Sequence, residues 1–487
     1  MGGAAGINLL LGMIRVKFAA VLIGTAGVGL LASFTAIQGL LGTLAGLGIQ
    51  SSAVREVAAA VAKNDQLAIG RAVLTLRRVC WLTGIVGMLA MMFFSPLISQ
   101  LTFGSHQYTL DIAALGIIIL LANLSGGQMA LIQGMRRIGD MARAQVVAAA
   151  LATVVAIAFY SWLGLRGIVP SLTVIAFIQL MLSWYFARRV SVPPATLSWR
   201  QTFSEAGGMV KLGLVFMWNG LLGSAVTYFT VTLITQQQGL QAVGLYSAAF
   251  ALSGMFVNFV LSAMGADYYP RLTGVSHDKA AVNRLVNEQT EIGLLLALPG
   301  LLLTLVLAPW IIQLFYTKEF LPAVELLQWF ILGCFGRVIS WPLGFVMLAL
   351  GKGHWFFITE TSFNLLHILL IVFGFLLMGI EGVAIAFFVM YIGYTIAVLI
   401  VARHLIDFSW SLAAKKIGCI TLPLIGITFI LVTHLPLWAA TIIGLGLSLM
   451  TSIYCMYGLT KRISSNHPIL KVASNIPCIR KIYSLLN

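Results

Sequence analysis

Three basic side chains lie within stretches that otherwise carry almost no charge, and their chemistry is the first feature to explain. Arg15 and Lys17 fall in the apolar stretch 5–24, and Arg337 lies near the middle of the apolar stretch 323–350. A cation at the centre of a bilayer costs roughly 3 kcal/mol on insertion scales, so it needs a partner or a function. The guanidinium fork binds phosphate oxygens through two parallel hydrogen bonds. The three cations therefore predict a binding site for an anionic substrate, such as a phosphate or diphosphate.

Carboxylates within the apolar stretches are too few to neutralise these cations. Glu360 lies clearly inside such a stretch, whereas Asp267 and Glu381 lie at the ends of theirs. A substrate anion would supply the missing charge whenever it binds. An alternative for Arg337 is a structural role, in which it caps backbone carbonyls at a break near Pro342.

Arg15 and Lys17 cannot both face one cavity. They are two positions apart, so on a helix their side chains point about 200° apart. Arg15 is favoured as the cavity residue, while Lys17 would extend towards the membrane edge. In the alternative arrangement the first span covers residues 18–40 and leaves both cations at its edge.

Polar side chains inside other apolar stretches indicate a wet cavity and a coupling site. Glu360, Asn364 and His367 follow one helix face at i, i+4 and i+7. The candidates for ion coupling are Glu360, His367 and Asp267. The alternative for the helix face of Glu360, Asn364 and His367 is a polar seam packed between helices. The residues predicted to line the cavity are Asn123, Gln128, Asn219, Thr230 and Asn364.

The composition identifies a polytopic membrane protein. The 487 residues are 60% hydrophobic and 9% charged, whereas about 25% of the residues in a soluble domain are charged. The net charge of +15 does not indicate nucleic-acid binding, since most cations lie in loops on one side of the membrane. The five cysteines form no CxxC pattern, so neither a metal site nor a cofactor is expected.

Hydropathy predicts an all-α fold with about fourteen transmembrane helices. Loops on one side and the tail carry 24 of the 29 basic residues, whereas Arg166 and Lys318 lie on the other side. The positive-inside rule therefore places both termini in the cytoplasm.

An internal repeat divides the chain into two six-helix lobes. ValGlyLeu at 28–30 recurs at 243–245, and AlaArgArg at 187–189 matches AlaArgHis at 402–404, each at an offset of 215. Two units inserted the same way up are typical of two-lobed secondary transporters. The predicted segments are an N-terminal lobe at 1–190, a cytoplasmic linker at 191–211, a C-terminal lobe at 212–405, two extra transmembrane helices at 406–460 and a basic cytoplasmic tail at 461–487.

Several stretches resemble one known family. They are AVLIGTAGVGLLASF, AGLGIQSSAVRE, VGLYSAAFALSGMFVNFV and FYTKEFLPAVELLQWFILGCFGRVISWPLGFVMLALGKGHWFFITE. They resemble the Wzx-type O-antigen translocases, which are lipid-linked oligosaccharide flippases, and especially the enterobacterial common antigen branch. This family belongs to the multidrug/oligosaccharidyl-lipid/polysaccharide exporter superfamily.

The resemblance implies two six-helix bundles around a central cationic cavity in the bacterial inner membrane. It implies translocation of undecaprenyl-diphosphate-linked oligosaccharide to the outer leaflet, driven by an H⁺ or Na⁺ gradient. Arg15, Lys17 and Arg337 would occupy cavity positions, and Glu360 matches a place where this branch carries an acidic residue. A polysaccharide polymerase and a chain-length regulator are the protein partners that the resemblance suggests.

Two other functions remain as alternatives. An exporter of organic cations would use the same scaffold but needs membrane-embedded acids, which are scarce here. A membrane-embedded polysaccharide polymerase needs a catalytic dyad, and neither HExxH, GxSxG nor a P-loop occurs in the sequence. A transporter is therefore predicted, not an enzyme.

Overall fold

The computed structural model describes residues 2–63 and 65–460, and all of its regular structure is helical. The predicted tail at 461–487 lies outside the described residues. The helices are α1 (Gly2–Gly46), α2 (Ile49–Ala62), α3 (Gln66–Phe103), α4 (Thr109–Gly134), α5 (Ile138–Leu163), α6 (Ile168–Ala187), α7 (Trp199–Gly274), α8 (Lys279–Val306), α9 (Ala308–Phe315), α10 (Ala323–Ala349), α11 (Gly353–Ile406), α12 (Leu412–His434) and α13 (Leu437–Thr460). The predicted all-α fold is confirmed. An apolar chain in lipid must satisfy its backbone polar groups internally, which helices do.

Ten helical segments among the described residues are long and apolar enough to cross a membrane, with α5 and α6 counted as one segment. Four of the ten are much longer than one crossing needs. The first, Gly3–Gly46, has 44 residues, or about 66 Å at 1.5 Å per residue, against a hydrocarbon core of about 30 Å.

Each of these long segments is interrupted at a glycine with positive φ. The glycines are Gly24, Gly164, Gly239 and Gly379, with φ between 56° and 80°. In the first segment the break falls at the single residue Gly24, after which the helix continues. The breaks divide these segments into shorter helices, and the count of fourteen spans stays a prediction.

The break at Gly379 reverses the chain. A Cβ placed on Gly382 would lie 1.8 Å from the carbonyl oxygen of Gly374. Residues eight apart on a continuous helix are about 12 Å apart along the axis. The two glycines can therefore meet only because the backbone folds back between them.

The described residues form two compact units. The first contains the chain up to Ala248 together with Ile312–Ala323 and Asn364–Val383; the second contains Ala249–Ile311, Val324–Phe363 and the chain from Ala384 onward. These units group residues by contact, whereas the predicted lobes group them by repeat. The lobe boundaries accordingly stay a prediction.

Each unit has its own apolar core. In the first, α3 packs on α4 and α4 packs on α6, around fully buried residues such as Val57 and Ile132. In the second, α8 packs against α12 and α13. Ser411 connects the last two helices to α8, since its hydroxyl donates to Glu291 at 2.7 Å.

Candidate functional site

Two repeat-related glycines let α1 and α7 cross at backbone contact within the first unit. A Cβ placed on Gly29 would lie 1.9 Å from the carbonyl oxygen of Leu240, and one placed on Gly244 would lie 2.1 Å from that of Thr25. Leu240 follows Thr25 by the same 215 positions that separate Gly244 from Gly29. The two contacts are therefore equivalent under the repeat, and we call this pair of contacts the first crossing.

A second crossing brings the other end of α1 against the start of α7. A Cβ placed on Gly48 would lie 2.0 Å from the carbonyl oxygen of Gly213, and one placed on Gly213 would lie 2.4 Å from that of Leu47. Gly48 also has φ +63°, a conformation that favours glycine. Small residues of this kind allow membrane helices to approach closely.

A groove lies along α1 between the two crossings. Its volume is about 480 Å³, within the roughly 300–1,000 Å³ of small-molecule sites. Phe216 and Met217 of α7 form part of an apolar wall. The polar side chains that line the groove are Thr35, Gln38, Thr43, Gln50, Ser51 and Asn123.

Asn123 lines the groove from α4 and is only 6% exposed. Its amide nitrogen has no hydrogen-bond partner within the described part of the chain. The amide oxygen lies 3.4 Å from the position of a Cβ on Gly46, so the side chain packs against the glycine face of α1. An unpaired buried donor is costly unless a ligand or water satisfies it.

Lys17 is held by backbone carbonyls. Its ammonium donates to the carbonyl oxygen of Gln313 at 2.8 Å and also to that of Tyr316. Gln313 lies in the last turn of α9 and Tyr316 directly follows that helix, where the helix dipole favours a cation. Lys17 is thus neutralised in part by the protein itself.

Arg15 has a different environment from Lys17. Its side chain is exposed, and it lies close enough to Tyr160 to interact with that hydroxyl electrostatically. Tyr160 is itself buried. Of the two cations on the first half of α1, Arg15 is the more exposed.

Arg337 and Glu360 lie near the same tyrosine pair in the second unit. Tyr394 donates a hydrogen bond of 2.6 Å to a carboxylate oxygen of Glu360. Tyr391 interacts electrostatically with both Arg337 and Glu360. A half-buried guanidinium and a hydrogen-bonded carboxylate therefore share one neighbourhood.

The other predicted site residues lie elsewhere. Asn219 is exposed and Gln128 is half-buried, and neither lines the groove. Thr230 is buried and donates to the carbonyl oxygen of Val226 at 2.7 Å. Asp267 forms an exposed ion pair of 3.1 Å with Arg271.

Asn364 and His367 are half-buried residues of α11 and belong to the first unit. Glu360, on the same helix, belongs to the second unit. No cluster of His, Cys, Asp and Glu that could hold a metal occurs within residues 2–63 and 65–460.

The sequence predicts Asn123 as a cavity residue but does not predict the part of the groove that α1 forms. Thr35, Gln38 and Thr43 lie within a stretch that hydropathy reads as continuous and apolar. A signal was present, since Gly39, Gly42 and Gly46 follow one helix face at i, i+3 and i+7, beside these polar residues.

The long apolar helices and the groove along α1 define a multi-pass membrane protein with a transporter fold. A solved structure of the lipid II flippase MurJ in an inward closed conformation covers 94% of this chain and 98% of its own, with a TM-score of 0.69 and 14% identity. An inward-facing MATE-family multidrug resistance transporter of the MOP superfamily covers 84% of this chain and 96% of its own, with a TM-score of 0.64 and 15% identity.

The family follows from the sequence. The family model described as "Polysaccharide biosynthesis protein" matches residues 20–325, so the chain belongs to that family. The "Lipid III flippase" of Escherichia coli (strain K12) is 24% identical over 401 residues, which cover 80% of this chain and 92% of the relative. The resemblance to polysaccharide translocases is thereby confirmed. These named proteins are flippases and a transporter, in agreement with the prediction of transport over catalysis.

Proposed function

We propose that this protein flips an undecaprenyl-diphosphate-linked oligosaccharide, such as an O-antigen-like repeat unit, from the inner to the outer leaflet of the bacterial inner membrane. The observation that carries the proposal is the polar groove between the two crossings of α1 and α7. A path that opens at one crossing while the other stays closed would give alternating access. The lipid-linked substrates in the names of the relatives support the same substrate class.

The diphosphate is the proposed ligand of the membrane cations. Arg15 and Arg337 each contact it at some stage of the cycle, because a guanidinium fork matches phosphate oxygens and both residues lie in apolar helices. Lys17 supports the site indirectly through its bonds to the carbonyls at the end of α9. Gln128, Asn219, Thr230 and Asn364 stay proposed as polar lining.

An H⁺ or Na⁺ gradient is the proposed driving force, and Glu360 is the first candidate for coupling. Its hydrogen bond from Tyr394 positions the carboxylate. His367 and Asp267 are the further candidates. Glu360→Gln, which retains the shape and removes the charge, should make flipping insensitive to the gradient, whereas Tyr394→Phe should weaken the response.

Flipping is tested in proteoliposomes that contain undecaprenyl-diphosphate-linked N-acetylglucosamine, by following the accessibility of the sugar to an impermeant oxidant. Arg15→Ala and Arg337→Ala should each reduce the rate at least tenfold, and Arg15→Lys should recover part of it. Arg143→Ala is the matched control, since Arg143 is 73% exposed and lies outside the apolar stretches. Normal flipping by both site variants would overturn the cationic mechanism.

An exporter of organic cations is the second candidate, favoured by the fold shared with the MATE transporter and by the embedded Glu360. It predicts that deletion of the gene sensitises cells to cationic drugs. The groove offers no acid among its described lining residues, which favours the flippase.

A further inference from the structure

The groove between the crossings has an unusual chemical character for a site that serves an anionic lipid. None of the described residues that line it carries a charge. A diphosphate would require a cation there, and an organic cation would require an acid. A lipid tail would leave the buried amide nitrogen of Asn123 without a hydrogen-bond partner. The groove therefore suits a ligand that is polar, neutral and rich in hydrogen-bonding groups.

The hydrogen-bonding groups of the groove are complementary to hydroxyl groups. The Thr35 hydroxyl donates to the carbonyl oxygen of Leu31 and the Thr43 hydroxyl to that of Gly39, each at 2.7 Å. Their protons are used within the helix, so their oxygens can act as acceptors. The Thr43 oxygen also lies 3.3 Å from the Ser224 hydroxyl. Asn123 contributes an amide whose nitrogen is buried and unpaired among the described residues; rotation of the amide would present this donor in place of the oxygen. A sugar hydroxyl donates and accepts, and can satisfy both kinds of group.

The glycine face of α1 allows a ring to approach the helix backbone. A Cβ placed on Gly39 or on Gly42 would meet no heavy atom within 4 Å, so open space lies over both positions. Phe216 on the opposite wall is 48% exposed. An exposed aromatic ring can pack on the C–H face of a sugar while the hydroxyl groups bond elsewhere.

We infer that this groove binds an uncharged sugar residue of the transported glycan, with Asn123 as a specificity-determining contact. The inference rests on the proposed function, since the sugar arrives attached to a lipid diphosphate. It separates two tasks: the membrane cations bind the diphosphate, and the neutral groove recognises the sugar.

The test compares two probes on the purified full-length protein by native mass spectrometry. One probe is undecaprenyl diphosphate, and the other is the same lipid carrying N-acetylglucosamine. The wild type should bind the sugar-bearing lipid about tenfold more tightly, because several neutral hydrogen bonds are added. Gly42→Leu fills the open space over α1 and should remove that preference while binding of the bare lipid stays within twofold.

Two further variants complete the design. Asn123→Ala should reduce the preference about fivefold, as expected for one hydrogen-bonding group. Gly426→Leu is the matched control, because Gly426 also has no heavy atom within 4 Å of a Cβ but lies in α12. It should behave as the wild type. Leucine favours a helix over glycine, so neither leucine variant is expected to unfold.

The outcomes separate the two proposals. Equal binding of both lipids by the wild type, or an unchanged preference in Gly42→Leu and Asn123→Ala, overturns the sugar site and leaves the flippase proposal standing. A wild type that binds neither lipid overturns both. Loss of the preference in Gly426→Leu as well would show a general effect of leucine and would also overturn the assignment.

Discussion

Replacing Gly29 by alanine is the sharpest test of the first crossing. The added Cβ would lie 1.9 Å from the carbonyl oxygen of Leu240 and 3.0 Å from the backbone nitrogen of Gly244. Both neighbours are main-chain atoms, which cannot move aside as the end of a flexible side chain can. The helices would have to separate by roughly 1.5 Å before the methyl group reached a tight van der Waals distance.

The magnitude follows from two opposing terms. Overpacking a close contact typically lowers the free energy of unfolding by about 1–3 kcal/mol. We take about 3 kcal/mol here, because the clash is with backbone atoms that cannot move aside. Alanine in place of glycine in a helix returns about 1 kcal/mol. Gly29→Ala should therefore lower the free energy of unfolding by about 2 kcal/mol, and Gly244→Ala should act similarly, since its Cβ would lie 2.1 Å from the carbonyl oxygen of Thr25.

The assay is unfolding of the purified protein by sodium dodecyl sulfate in mixed micelles, followed by tryptophan fluorescence. Gly223→Ala in α7 is the matched control, because its Cβ would meet no heavy atom within 4 Å. It should raise the free energy of unfolding by about 1 kcal/mol. The double variant of Gly29 and Gly244 should cost less than the sum of the single variants, because one separation of the helices relieves both clashes.

The reasoning would be refuted by a simple result. If Gly29→Ala were as stable as Gly223→Ala, the backbones would not meet at this crossing. Additive losses in the double variant would contradict the idea that the two glycines belong to one contact.

Three further predictions concern the anchoring of the helices. Lys17→Met removes two charge-assisted hydrogen bonds to carbonyls and should lower the free energy of unfolding by about 2 kcal/mol in the same assay. An unchanged free energy of unfolding would show that these hydrogen bonds do not stabilise the fold. Burial, and to a smaller extent the negative charge of Glu205, raises the pKa of Glu56 in α2. The ionised carboxylate therefore destabilises the folded state above that pKa, and this destabilisation disappears as the pH falls through the pKa. Glu56→Gln should therefore raise the thermal midpoint at about pH 7 but not at about pH 3, and a gain at both values would exclude titration as the cause. Ser411→Ala removes the N-cap of α12 and the bond to Glu291 and should cost about 1–3 kcal/mol, with faster proteolysis between α11 and α12; equal proteolysis rates would count against this anchor.

Much of the fold could be predicted from hydropathy, because lipid permits few backbone structures. What hydropathy does not show is that a single residue is enough to make the turn between two helices. At Gly24 and Gly239 the helix is interrupted by a single backbone conformation, and the flanking residues remain helical. Hydropathy is averaged over a window of many residues, so a break at one residue leaves little trace in it.

The repeat predicted which residues correspond, but it did not predict that corresponding residues touch. Gly29 and Gly244 were recognised as equivalent positions from the ValGlyLeu motif. For the two glycines to touch, the axis that relates the two repeats must lie close to them. A sequence offset does not show where that axis lies. Because neither position has room for a Cβ, the contact nevertheless explains why the motif has glycine at its centre.

The groove was only partly predictable for a different reason. Asn123 stands out because an amide is costly in an apolar stretch. Thr35 and Thr43 do not, because each hydroxyl donates to the carbonyl four residues earlier and is compatible with any membrane helix. Whether its oxygen then faces lipid or a groove depends on the packing of α4 and α7.

The two cations of α1 illustrate how a charge in a membrane helix can have either a structural or a ligand-binding role. The helical spacing predicts that Arg15 and Lys17 point in different directions. The Lys17 ammonium is compact and is satisfied by two carbonyls at a helix end, whereas the Arg15 fork stays exposed. Since the groove is neutral, an anionic group gains nothing by entering it, and a neutral sugar gains little at a lone guanidinium. A substrate with a charged end and an uncharged end would match both environments, which is the composition of a lipid-linked oligosaccharide.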